Sequence, residues 1–218
     1  MKNDKLHPNI LAVRIISNVS PDLAEKLSLG ERHKSIGIIT ADSDDVTYTG
    51  LDEATKAADV EVVYARSLYA GAANANTKLA GEVIGILAGP SPAEVRSGLN
   101  ACITFMESDA YFISANDDDS IVYYAHTVSR TGSYLSKIAN IKEGEALAYV
   151  IAPPLESIYA LDAAMKAADV RLCEFYGPPS ETNFGGGLLT GSQSACYAAC
   201  NAFAEAVRSI ADRPKEYQ

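Results

Sequence analysis

The chain has 218 residues, 48% of them hydrophobic, enough for two cores of about 100 residues each. Its 18 basic and 28 acidic side chains leave a formal charge of −10. That balance provides no basic patch for the counterion release that drives nucleic-acid or anionic-membrane binding, so neither is expected as a partner. No apolar run approaches the roughly 20 residues that cross a bilayer. The first eight residues carry no apolar signal core. Cys102, Cys173, Cys196 and Cys200 read as cytosolic thiols rather than a disulfide framework at this chain length.

Taken in chain order, residues 10–16 (ILAVRII) predict a strand and the stretch near Asp22 to Leu27 a short helix. Residues 35–40 predict a second strand, the alanine-rich 51–60 a helix, and 60–64 and 82–88 two further strands. A long helix is predicted from Ser91, which stands as N-cap with Pro92 in the first turn and Glu94 three residues after the cap. Val95, Leu99, Cys102 and Met106 follow i, i+4, i+7, i+11 spacing, one apolar stripe of that helix. A junction at 108–120, with the acidic turn 116–120, closes a first domain of residues 1–110. The second domain, 111–218, repeats the series: strands at 121–127, 146–151, 170–176 and 187–190, and helices near 134–138 and at 161–170. A closing helix carries the stripe Cys196, Cys200, Phe203 and Val207.

The repetition is explicit in one place. Residues 51–60 read LDEATKAADV and residues 161–170 read LDAAMKAADV, eight of ten identical without a gap. One duplication is not a solenoid, which needs several shorter periods. Strands interleaved with helices in each half predict an α/β fold, an α+β sandwich made twice. Two like halves in one chain allow a symmetric ring to close with half the usual number of subunits.

Two connections, 66–81 and 177–186, exceed the 2–5 residues of ordinary hairpin loops. Their small, polar content favours mobility over packing. At equivalent places in two halves they can serve as a gate, or they are plain surface insertions. Asp42, Asp44 and Asp45 cluster directly after a strand. They read either as a solvated turn or helix-cap network, or as a cation site, a divalent metal included. His7, His33 and His126 are scattered and read as surface or packing residues, and Cys196 and Cys200 as small buried side chains. Catalysis finds little support. The Thr190–Ser194 turn lacks the Gly-x-Ser-x-Gly pattern, and no dinucleotide fingerprint or phosphate loop exists. Residues 130–133 (RTGS) read as a turn opening a helix. No cofactor and no catalytic residue is expected.

Several motifs together resemble bacterial microcompartment shell proteins, and among them the tandem-domain shell proteins of ethanolamine utilisation. They are ADSDDVTY (41–48), VEVVY (60–64), RSLYAGA (66–72), GPSPAEVR (89–96), VSRTGSYL (128–135), APPLE (152–156), PPSETN (178–183), LTGSQSAC (189–196) and ACNAF (199–203). The resemblance implies two tandem, circularly permuted BMC domains and a pseudohexameric homotrimer that tiles a shell with other microcompartment shell proteins. It implies a central pore opened and closed by loop rearrangement and three smaller pores. Ethanolamine, and cobalamin-type or nicotinamide cofactors in transit, are the implied cargo, and a cytoplasmic microcompartment shell the implied location. On this reading Tyr69, Asn183 and Phe184 are gate residues, with loop anchoring the alternative for Tyr69 and Phe184. Protonated ethanolamine requires a carboxylate, further acceptors and an aromatic face. The residues assigned to it are Asp45 first, then Asp44, Glu82, Phe112, Glu181, Thr182 and Asn183. A freestanding duplicated small-molecule sensor and an enzyme using the acidic cluster as base are the rivals.

Overall fold

The computed structural model describes residues 1–68, 82–178, 180 and 183–216. In chain order its elements are β1 (Lys5–Leu6), β2 (Ile10–Ile16), α1 (Pro21–Lys26), β3 (Ser35–Ala41), α2 (Asp44–Ala57), β4 (Glu61–Leu68), β5 (Glu82–Gly89), α3 (Pro92–Ser108) and β6 (Phe112–Ser114). They continue with β7 (Val122–Val128), α4 (Ser133–Ala139), β8 (Ala146–Ala152), α5 (Pro154–Ala167), β9 (Val170–Tyr176), β10 (Gly185–Gly191) and α6 (Gln193–Asp212). They form two compact units. One comprises His7–Ala110 with Gly132–Leu135, and the other Met1–Leu6, Tyr111–Thr131 and Ser136–Gln218.

The duplication is carried through to the topology. The first unit has a four-stranded antiparallel sheet in the order β2-β3-β5-β4. The other has β7-β8-β10-β9 in the same order, extended at the β7 edge by β6 and β1. This is the α/β sandwich, made twice, that the sequence predicts. Alternation along the strands sends one face of each sheet to the helices. In the first unit that face meets α2 and α3 through Ile39, Val83, Leu87, Leu51, Leu99 and Met106, all buried. Two glycines set the approach: a Cβ on Gly37 would stand 2.6 Å from Leu99 Cδ1, and one on Gly85 2.7 Å from Leu51 Cδ1. The opposite face carries Ile36, Ile86 and Ala88, packed with Val19, Ala24 and Leu27 around α1. In the other unit Ala148, Val150, Leu189, Cys196, Cys200, Phe203 and Val207 make one core with α5 and α6.

Both predicted apolar stripes of the closing helices are buried. Ser91 caps α3 as expected, accepting the Glu94 backbone N–H at 3.3 Å. The helix expected at 51–60 instead begins at Asp44 and ends at Ala57, with Ala58 already extended at φ −148° and ψ 162°. Carboxylates suit the positive end of a helix, so the acidic run belongs to its first turn rather than to a preceding loop. The junction also holds more structure than expected: Phe112–Ser114 pairs with both β7 and Lys5–Leu6. Strands of two or three residues show no alternation by which a sequence reveals them.

Candidate functional site

The acidic run after β3 divides into three different environments. Asp42 turns back onto Asn9, accepting its backbone N–H and its side-chain amide, both at 2.7 Å. Asp44 and Asp45 open α2 and are buried. Asp44 Oδ1 accepts the Asp45 N–H at 2.9 Å, and Oδ2 accepts the Ser67 hydroxyl at 2.6 Å. Ser67 has thereby spent its proton, so at 2.7 Å it accepts from the Tyr48 hydroxyl. A relay runs Tyr48 to Ser67 to Asp44, joining the first turn of α2 to the end of β4. Burial pushes the Asp44 carboxyl above the ordinary carboxylate range, while Ser67 and the backbone N–H groups pull it back. Burial likewise pushes the Tyr48 phenol up, and the neighbouring acids add to the effect. A site of this kind is pre-organised to receive positive charge or a further proton donor.

A second carboxylate lies two turns along α2. Asp52 is fully buried. Its Oδ2 accepts the Gly132 N–H at 2.7 Å and its Oδ1 the Leu135 N–H at 2.8 Å, while Thr55 Oγ1 accepts the Ser133 N–H at 3.1 Å. Tyr134, between those donors, stands 6.2 Å from Tyr48, ring centre to ring centre. The RTGS turn expected to open a helix thus does so, and its backbone donors are taken up by α2. Burial raises the Asp52 carboxyl, offset by the two N–H donors and by Lys56.

Of the residues assigned to ligand binding, Asp44 and Asp45 stand side by side. Glu82 opens β5 opposite Leu68, whereas Ser67 pairs with Val83. Since neighbouring strand residues face opposite ways, Glu82 points to the sheet face away from Ser67 and Asp44. Phe112 belongs to the other unit, fully buried, stacked on Tyr124 at 5.4 Å and meeting Phe184 edge-on at 6.2 Å. Phe184 is half-buried, and Asn183 is exposed with φ 69°. Tyr69, Glu181 and Thr182 lie outside the described residues. The contributions of Tyr48 and Ser67 are not read from sequence. Tyr48 follows Asp44 by one helical turn, a spacing that flags it once α2 is known to start at Asp44. Ser67 is 23 positions from Asp44, and nothing local announces it.

The catalytic alternative has no supporting geometry among the described residues. Ser192 caps α6 by accepting the Ala195 N–H at 3.1 Å. The His126 ring is stacked on Tyr124, and His33 is buried. Among the described residues no group of three or more His, Cys, Asp or Glu side chains is arranged to hold a metal ion, and no helix is long and apolar enough to cross a membrane.

Comparison with known proteins finds close similarity along the whole chain. Residues 35–116 match the model of the BMC domain. The bacterial microcompartment shell protein EutL of Clostridium perfringens is 74% identical over 214 residues, 98% of this chain and 99% of that protein. The EutL shell protein of Escherichia coli is 55% identical over 211 residues, 97% of this chain and 96% of that one. The crystal structure of the ethanolamine utilization protein EutL from Leptotrichia buccalis superimposes with a TM-score of 0.95 at 71% identity, covering 100% of both chains.

Proposed function

This chain belongs to the EutL family of bacterial microcompartment shell proteins, a structural component of the shell rather than an enzyme, and from that premise we propose that it meters passage across that shell. Three copies, six domains in all, form a pseudohexameric tile around a central aperture. The observation that carries this reading is the repeated strand order, β2-β3-β5-β4 and β7-β8-β10-β9: two like units per chain supply the near-sixfold ring that a flat layer requires. The β4–β5 and β9–β10 connections occupy equivalent places in that topology, and we assign the gate to them, with Tyr69, Asn183 and Phe184 as its candidate side chains. We propose 1–110 and 111–218 as the limits of the two duplicated domains, although residues 1–6 and 132–135 each belong to the other domain's compact unit.

Ethanolamine is the proposed ligand of the smaller pores. Its ammonium pairs with Asp45 and Asp44, whose burial strengthens any charge-assisted bond they make. Phe112 and the Glu181–Asn183 segment are the remaining candidates, Glu82 facing the other side of its sheet. Ligand bound there shifts the gate only by its difference in affinity for the two loop arrangements. Bulkier cofactors of cobalamin or nicotinamide type are the proposed cargo of the central aperture. Titration calorimetry with ethanolamine tests the binding step. Asp45→Ala is expected to weaken affinity at least about tenfold, the equivalent of one charge-assisted hydrogen bond; unchanged affinity rejects the assignment.

A further inference from the structure

The hydroxyl chain that ends on Asp44 belongs to one half of the duplication only. The repeat 51–60 and 161–170 aligns α5 with α2, and β9 with β4. The strand registers agree with it. Arg66 pairs with Ile84 as Tyr176 does with Gly186, and the pairing slips at equivalent places, between Val62 and Tyr64 and between Leu172 and Glu174. The counterparts of Asp44, Tyr48 and Ser67 are therefore Pro154, Ile158 and Gly177. Carboxylate, phenol and hydroxyl are absent together, and the second half still reaches the same strand order. The relay is not a requirement of the fold.

Secondary structure holds the three groups in line. Ser67 lies opposite the buried Val83, and cross-strand partners share a sheet face, so its hydroxyl is on the side that α2 covers. Asp44 and Tyr48, one helical turn apart, meet it there at 2.6 and 2.7 Å. Burial pushes the Asp44 carboxyl up, and the Ser67 hydroxyl is the strongest of the influences that pull it back. The other titratable and charged groups of the cluster are Asp45 on α2, Arg66 on β4 and Tyr134 in the turn opening α4. Asp42, at the end of β3, is engaged by Asn9, and Glu82 of β5 faces away. Burial and the nearby acids push the Tyr48 phenol up, so it keeps its proton and remains a donor.

We propose that Ser67 and Tyr48 are positioning residues for cation recognition, a hydroxyl chain that holds the buried Asp44 carboxyl ionised and fixed in place for an ammonium group. A carboxylate offers about four lone-pair sites, so the bonds from Ser67 and the Asp45 N–H leave capacity for a ligand. The chain can be satisfied in either sense. With Asp44 charged, protons are donated from Tyr48 to Ser67 and from Ser67 to Asp44; with Asp44 protonated, its own O–H donates to Ser67 and Ser67 to Tyr48. The first arrangement is favoured, because a donor in series with another makes its strongest bond to an anion. An ammonium group and a proton compete for the same carboxyl. Binding is therefore lost as pH falls through the point at which Asp44 takes up its proton, and the hydroxyl chain sets that point lower than burial alone does. This inference rests on the proposed binding of ethanolamine by Asp44 and Asp45 and adds the range of acidity over which binding persists.

Calorimetry with ethanolamine on the full chain, from about pH 4 to 8, tests it, since the ligand stays protonated throughout and the acid limb reports the protein. Ser67→Ala is expected to move that limb up by about one pH unit, a tenfold loss of affinity at a pH on the limb. Tyr48→Phe keeps the ring and removes only the O–H, so it moves the limb the same way by less. Ser67→Thr restores the hydroxyl and with it the parent's limb. A merely structural role lowers affinity at every pH and leaves the limb where it was. Carbon NMR of the ligand-free, aspartate-labelled chain follows the Asp44 carboxyl directly, and the same upward shift is expected there in Ser67→Ala. A parent that binds ethanolamine while Ser67→Ala leaves both the limb and the carboxyl titration unmoved overturns this inference alone. A parent without affinity at any pH overturns the ethanolamine reading and the inference with it.

Discussion

Replacing Asp52 tests whether a single buried carboxylate holds the turn before α4 in place. Its two oxygens each accept one backbone N–H, at 2.7 and 2.8 Å, with no exposed surface on the residue. In Asp52→Ala both N–H groups lose their acceptor, at about 1–3 kcal/mol apiece if water cannot reach them. Part of that is returned, because burial of the charge already disfavours the ionised form and raises the carboxyl's pKa. The expected net loss is about 2–4 kcal/mol. Asp52→Asn keeps one carbonyl acceptor but turns an NH₂ group toward the other N–H, so its loss is about half as large. For a chain of this length about 3 kcal/mol corresponds to a fall in Tm of roughly 6–12 °C. Calorimetric melting measures the shift, and amide exchange at Gly132 and Leu135 shows whether the opening is local. A Tm within about 1 °C of the parent for Asp52→Ala, with exchange unchanged, refutes the reasoning.

Gly37→Ala puts a methyl group 2.6 Å from both Leu99 Cδ1 and Val95 Cγ1, and about 1–3 kcal/mol of stability is expected to be lost through overpacking. Adding Leu99→Ala makes room, so the double variant is expected to lose less than the sum of the singles in urea denaturation; strict additivity would contradict this packing. Burial pushes the Cys102 and Cys200 thiols up from 9.0 to about 12. The folded chain therefore keeps protons that the unfolded chain releases above pH 9. Stability is full below that pH and declines toward pH 12, by at most about 1.4 kcal/mol per pH unit for each thiol. Cys102→Ala is expected to flatten the decline between urea midpoints at pH 8 and pH 10.5, and an unchanged slope counts against the assignment.

Local pattern accounts for most of what could be anticipated. The cap at Ser91, the apolar stripes of α3 and α6 and the repeat at 51–60 and 161–170 are written in residues close together in the chain. Each of these elements stands in the structure near its expected place. The assigned site was only partly legible. Asp44 and Asp45 were recognisable as an acidic pair, but their burial was not, because residues far along the chain cover them. Glu82 shows the limit well: its position at a strand start was clear, yet only the β4–β5 register tells which face it occupies.

Periodicity and the duplicated segment were sufficient, from the chain alone, to specify two like α/β units and the order of their longer strands and helices, since hydrophobic spacing acts over a few residues. Tertiary structure alone decided that Ser67 would meet Asp44 and that Asp52 would hold residues 132–135. These outcomes join groups tens of positions apart. A carboxylate's partners are chosen by which distant backbone donors folding brings within 3 Å, and no short-range pattern encodes that choice.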